Sequence, residues 1–168
     1  MKLLPDSDPS ADVLLGIYLQ DHLTAATGGL ELFKRSAKGQ LSPTRRVALS
    51  RLTDEVREDR DALVALMQRL GVAVQPHRVA AGWVAEKVVR AKLNGTLLRR
   101  SPLSDVIELD GMLMGVQGKA GLWRLLQSLA TTDDRLDRGE LERLAGRAQA
   151  QLDELEQLRT EASAALRR

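Results

Sequence analysis

Asp21 and His22 stand side by side in LGIYLQDHLTAATGGLELF, residues 15–33, whose apolar residues have the spacing of a helix buried on most of its sides. An imidazole beside a carboxylate can pass a proton near neutral pH, ligate a metal through a ring nitrogen, or neutralise a polar group in a core. A second oddity lies in the seam Leu49, Leu52, Val56, Asp59, Leu63, Leu66, Leu70, where Asp59 is the one charged member. A carboxylate in a core is costly unless it is paired. Ser-His-Asp and Cys-His arrangements are not suggested. The chain has no cysteine, which excludes disulfides, thiolate metal sites and a Cys nucleophile. Beside His22 only Tyr18 and Thr24 carry hydroxyls, and both are weak nucleophiles there.

Helices must position these groups. The first is predicted over about 10–38, opened by Ser10 as an N-cap and stopped at Gly39. Ser42-Pro43 opens a second, over about 43–70, that ends at Gly71. Ser101-Pro102 opens a third, over about 102–129, and a fourth runs over about 135–166 with the seam Leu141, Leu144, Ala148, Gln151, Leu155, Leu158. Apolar steps of three and four over several turns mark helices packed at shallow angles. Short connections make the first pair antiparallel, and likewise the second. Measured from the loop centres, His22 lies level with about residue 59 and Gln151 with about residue 116, beside Gln117. The expectation is a polar layer across an antiparallel four-helix bundle: His22, Asp59, Gln117 and Gln151, with Asp21, Glu55 and Tyr18 close by. Such a layer either fixes helix register or binds a small ligand; only in the second case would His22 and Asp59 take a metal.

Between the second and third helices lies a crossover of about 30 residues containing a helical stretch, about 77–93, and the turn Asn94-Gly95. Four helices with one long crossover in the middle resemble the ferritin-like superfamily. The wording YLQDHLTAATGGLELFKRSA, GWVAEKVV and RRSPLSDVIEL also resembles a small uncharacterised bacterial family of actinobacterial type. The resemblance covers nearly all of 1–168 as a single domain and implies a fold, not an activity. Di-iron members of the superfamily need Glu-x-x-His on two helices. Here Glu55-x-x-Glu58 and Glu154-x-x-Gln157 lack the histidine, and neither His22 nor His77 lies in such a motif. An iron oxidase or storage site is therefore not expected, nor any cofactor.

Aromatic residues make up only 2% of the chain, so the core must be built from Leu, Val and Ala, which suits helices. Gly111, Gly115, Gly118 and Gly121 fall inside the third helix, where each exposed glycine costs about 1 kcal/mol relative to Ala. Four of them predict something packed very close, such as Trp83 of the crossover, with a ligand cavity or a dimer face as the alternative. Residues 77–100 are basic through Arg78, Lys87, Arg90, Lys92, Arg99 and Arg100; the expectation is an apolar side that caps the bundle with the charges solvated, the alternative a face for an anionic membrane surface or nucleic-acid phosphates. The net charge of +2 is too modest for a dedicated DNA-binding protein. No apolar run reaches the roughly 18 residues of a membrane span, and no leader-like segment follows Met1. The reading is a cytoplasmic helical bundle without enzymatic activity that acts through a protein partner or self-association, with small-ligand binding in the polar layer as the alternative.

Overall fold

The computed structural model describes residues 8–75 and 102–167. Among them are four α-helices, α1 (Ala11–Gly39), α2 (Pro43–Arg69), α3 (Pro102–Leu129) and α4 (Arg138–Ser163), a closing 3-10 turn (Ala164–Arg167), and no strand. The local reasons are those the chain advertises. Ser10 Oγ accepts from the Val13 N–H at 3.4 Å, and Ser42 Oγ accepts from the Arg45 N–H with Pro43 opening the helix. The end of α2 is closed by Gly71, whose φ of 71° is open to glycine at little cost. The Val72 N–H then reaches back to the Met67 carbonyl at 2.8 Å and the Gly71 N–H to that of Gln68 at 3.1 Å, so two orphan carbonyls are satisfied.

The fourth helix starts at Arg138, three residues later than its sequence suggests. Asp133 captures the Arg135 backbone N–H at 3.0 Å and its guanidinium at 2.9 Å, which stabilises a turn there. Asp137 then caps the helix by accepting from the Glu140 N–H at 3.0 Å. The helical stretch expected over 77–93, the basic residues Arg78, Lys87, Arg90, Lys92, Arg99 and Arg100, and Ser101 lie outside the described residues.

One apolar core joins the four helices. It takes Leu19, Leu23 and Phe33 from α1, Leu52, Leu63 and Leu66 from α2, Met112, Trp123 and Leu126 from α3, and Leu141, Leu155 and Leu158 from α4. Each fully buried side chain of this size contributes about 1.5–3 kcal/mol. The packing is that of a bundle: α1 against α2 and α3, and α3 against α4. α2 and α4 meet mainly through long side chains, Arg51 with Glu154, Arg69 with Glu140, and Arg147 with Glu58 at 2.8 Å. Leu158 and Ala162 stay buried, so α4 packs almost to its end. No described helix is long and apolar enough to cross a membrane.

Candidate functional site

Asp59 lies in the apolar seam of α2 and is only 1% exposed. Two other helices supply groups that meet it. From α3, the Lys119 ammonium donates to Asp59 Oδ2 and to Gln151 Oε1. On α4, Arg147 pairs through Nη2 with Asp59 Oδ1 and through Nη1 with Glu58. Gln151 Nε2 donates to Glu55 Oε2 at 3.0 Å and to Asp59 Oδ2 at 3.3 Å. The contact with Arg147 is an ion pair without hydrogen-bond alignment, which leaves Oδ1 short of a hydrogen-bond partner. Burial holds the Lys119 pKa below the ordinary lysine value. The Asp59 charge and hydrogen bond, with Glu55, pull it back up, and Arg147 adds to the depression.

The structure therefore brings Asp59, Gln151 and Glu55 together, but not all of the expected layer. Gln117 is exposed on α3, and Lys119 occupies the place expected of it. His22 does not answer Asp59, whose partners are Lys119, Arg147 and Gln151. The His22 ring instead sets its edge against Tyr18, centroids 4.5 Å apart. Asp21 is exposed, and its charge raises the His22 pKa against a larger lowering by burial, so the net shift is downward. Lys119 was legible in principle: Met112, Val116, Lys119, Trp123 and Leu126 keep steps of four and three, which places the lysine in the seam as Asp59 is in its own. Arg147 carries no such signal, because a long side chain from the flank of a seam can reach inward.

His22 and Asp59 do line one cavity. A cavity of about 190 Å³ lies between α1, α2 and α3. Its α1 side is His22, Ala25, Ala26 and Gly29, and its α3 side is Gly111, Gly115 and Gly118. Val56, Leu63 and Trp123 give the interior an apolar lining, and Asp59, Arg60 and Lys119 give it one charged edge. Ala25, Met114, Gly115 and Gly118 are exposed, so the space opens to solvent between α1 and α3.

The glycines explain the space. A Cβ added at Gly111 would come within 3.2 Å of Leu32 Cδ2, which is the close approach expected of a helical glycine. One added at Gly29, Gly115, Gly118 or Gly121 would meet nothing within 4 Å. The expected tight packing thus holds at Gly111 alone; Trp83, the expected packing partner, lies outside the described residues. Trp123 is 1% exposed, and its indole Nε1 is buried with no hydrogen-bond partner. Burying such a donor unpaired costs about 1–3 kcal/mol.

The charges at the edge are mutually committed. Arg60 donates from Nε to Thr27 Oγ1 at 3.3 Å and from Nη1 to Asp61 at 3.0 Å. Among the described residues no three of His, Asp and Glu converge as a metal ion would need. What the arrangement offers is an apolar chamber beside a neutralised ion cluster. Comparison with protein-family models, with curated protein sequences and with solved structures finds no match.

Proposed function

We propose that this protein is a small-molecule-binding helical bundle whose ligand sits between α1, α2 and α3. The observation that carries the reading is the unfilled chamber faced by glycines that packing does not require. Helix interiors give up about 1 kcal/mol for each glycine in place of alanine. Gly29, Gly115 and Gly118 incur that cost while leaving open space. An apolar cavity of about 150 Å³ holds benzene in another protein, so this one has room for roughly one ring with a small substituent. Asp59, Lys119, Arg147 and Gln151 hold the walls: a buried ion cluster satisfied from three helices resists sliding of one helix along another. The connection that best accounts for the contacts is two antiparallel hairpins joined by the crossover, a ferritin-like topology, since Thr27 meets Arg60 and Leu32 meets Gly111.

The test is ligand-observed NMR with monocyclic aromatic fragments on the full chain and on a Gly115→Leu/Gly118→Leu variant. Fragments should bind the wild type and be lost from the variant, which stays folded because leucine suits a helix and the space is open. Binding that survives the double replacement would sink the proposal.

A second reading, self-association, is favoured by one observation. Leu103, Ile107, Met114 and Leu125 are exposed on α3 at steps of four, seven and eleven residues. Residues so spaced share a helix face. A sedimentation coefficient that rises with concentration, and ceases to in Ile107→Lys, would support it; a concentration-independent monomer would dismiss it.

A further inference from the structure

The chamber also indicates what kind of molecule it takes, and the inference rests on the ligand-binding reading above. We infer that the ligand is an uncharged single-ring molecule carrying one hydroxyl group, a phenol in class, and that the hydroxyl donates to an unengaged ring nitrogen of His22.

His22 is the polar group of the α1 wall. It lines the chamber beside Ala25, Ala26 and Gly29 and is half-buried. Its ring meets Tyr18 edge-on, and among the described residues no hydrogen bond engages either ring nitrogen. Neither nitrogen is enclosed; the Trp123 indole nitrogen is, and so it plays no part here. Burial lowers the His22 pKa against a smaller opposing pull from Asp21, so the ring is neutral at pH 7. A neutral imidazole presents one N–H donor and one bare nitrogen that accepts.

The other polar groups of the lining supply no open acceptor. Asp59 Oδ2 accepts from Lys119 and Gln151, and Oδ1 is enclosed beside Arg147. Arg60 and Lys119 are donors only. Carbonyls inside a helix are taken by the N–H groups one turn on. Among the described residues, the bare His22 nitrogen is thus the one side-chain nitrogen or oxygen of the lining left open to accept. A ligand that completes it must bring a hydrogen to donate.

An ammonium could donate, but it would lie with Arg60 and Lys119 and find no open carboxylate. A carboxylate has no hydrogen to donate, and it would leave water for cations that already face Asp59 and Asp61. An amino or amide group donates too, yet carries a further N–H that apolar walls leave unmet. A hydroxyl is uncharged, has one hydrogen, and also accepts, so it suits His22 in either tautomer. Val56, Leu63 and Met112 offer the ring area for dispersion contact.

The experiment compares phenol, toluene and benzoate on the full chain by NMR titration. Phenol and toluene have nearly one shape, and a purely apolar site prefers toluene because a buried hydroxyl without a partner is costly. At pH 7.5 phenol is expected to bind at least as tightly as toluene, and benzoate more weakly than both. The chain has two histidines, so His77→Gln identifies the His22 Cε1–H signal, which phenol should move. In His22→Leu phenol should weaken about tenfold while toluene changes by less than about threefold. Acidification from pH 7.5 to pH 5 protonates the accepting nitrogen and should weaken phenol but not toluene. The titratable and charged groups around the ring are Tyr18 and Asp21 of α1, Asp59 and Arg60 of α2, and Lys119 of α3. An acid loss that belongs to one of these persists in His22→Leu; one that belongs to His22 vanishes there.

Phenol weaker than toluene by the same factor in the wild type and in His22→Leu overturns the hydroxyl assignment, and so does an unmoved His22 signal on saturation. Both leave the ligand-binding reading standing. An acid loss that persists in His22→Leu overturns the role given to His22, and tightest binding by benzoate overturns neutrality. Failure of all three probes to bind overturns the ligand-binding reading itself. If His22→Leu does not fold, the wild-type order of phenol and toluene and the His22 shift still decide the matter.

Discussion

Removing the Asp59 carboxylate would take from Lys119 its buried ion-pair partner and leave Arg147 with Glu58 alone. Asp59→Ala is therefore expected to lower the unfolding free energy by about 3–5 kcal/mol in urea denaturation. Asp59→Leu combined with Lys119→Met should cost much less than the two single changes summed, because each single change strands the other's charge. His22 gives a pH signature. Burial lowers its pKa below the ordinary value of about 6.5, and the opposing pull of Asp21 is smaller. The unfolded chain then binds the proton more readily than the folded one. Folding stability contributed by His22 is lost as pH falls through about 6.5 and is restored as it rises again. Between pH 7.5 and pH 5, the melting temperature of the wild type should fall further than that of His22→Gln, since the carboxylates common to both cancel. Equal falls would show that His22 does not titrate differently on folding. Asp59 was legible as a charge in an apolar seam. Its partner was not, because pairing polar residues by height leaves out Lys119, whose stem packs like a hydrocarbon while its tip carries the charge.

At the scale of the element, α3 is the helix that gives up stability. Gly115→Ala and Gly118→Ala should each raise the unfolding free energy, by up to about 1 kcal/mol, because the added methyl meets open space. Gly111→Ala should gain nothing or lose, since Leu32 must move to admit it. Gly146→Ala on α4 is also unobstructed and should stabilise to a similar degree without touching the chamber. Thermal melts of these four variants check the set; a loss at Gly115 and Gly118 would mean that something occupies the space their glycines leave. The helices themselves were readable from Ser10, Ser42-Pro43 and Gly71, because caps act within a turn and need no tertiary partner. The start of α4 was not, because Asp133 and Arg135 form a turn through a side chain-to-backbone bond that competes with the helix. The glycines were visible in the sequence, but not whether they admit a neighbour or leave a void, since that depends on what faces them.

For the whole molecule, the register of the bundle follows from side-chain lean. In a helix every Cα–Cβ bond tilts toward its own N-terminus. In the hairpin proposed for α1 and α2, side chains of α2 therefore lean toward the connecting loop and those of α1 away from it. Arg60 thus reaches Thr27, several residues nearer the loop than its own height. The same lean joins Lys119 to Gln151 rather than Gln117 to Gln151. Heights counted from loop centres neglect it, and so set His22 opposite Asp59. One consequence concerns hydrostatic pressure. A folded chain that encloses space water could fill shrinks when it unfolds, by roughly 20–100 mL/mol for ordinary proteins and more as the enclosed void grows. With about 190 Å³ open between its helices, this bundle should yield to compression sooner than its thermal stability suggests. Gly115→Leu with Gly118→Leu should raise the pressure at which half the molecules are unfolded, in high-pressure fluorescence or NMR, and a bound monocyclic aromatic fragment should do the same for the wild type. A midpoint unmoved by either would mean that the space is already filled by solvent. A raised one would make compression a way to count the occupants of a chamber that no spectrum sees directly.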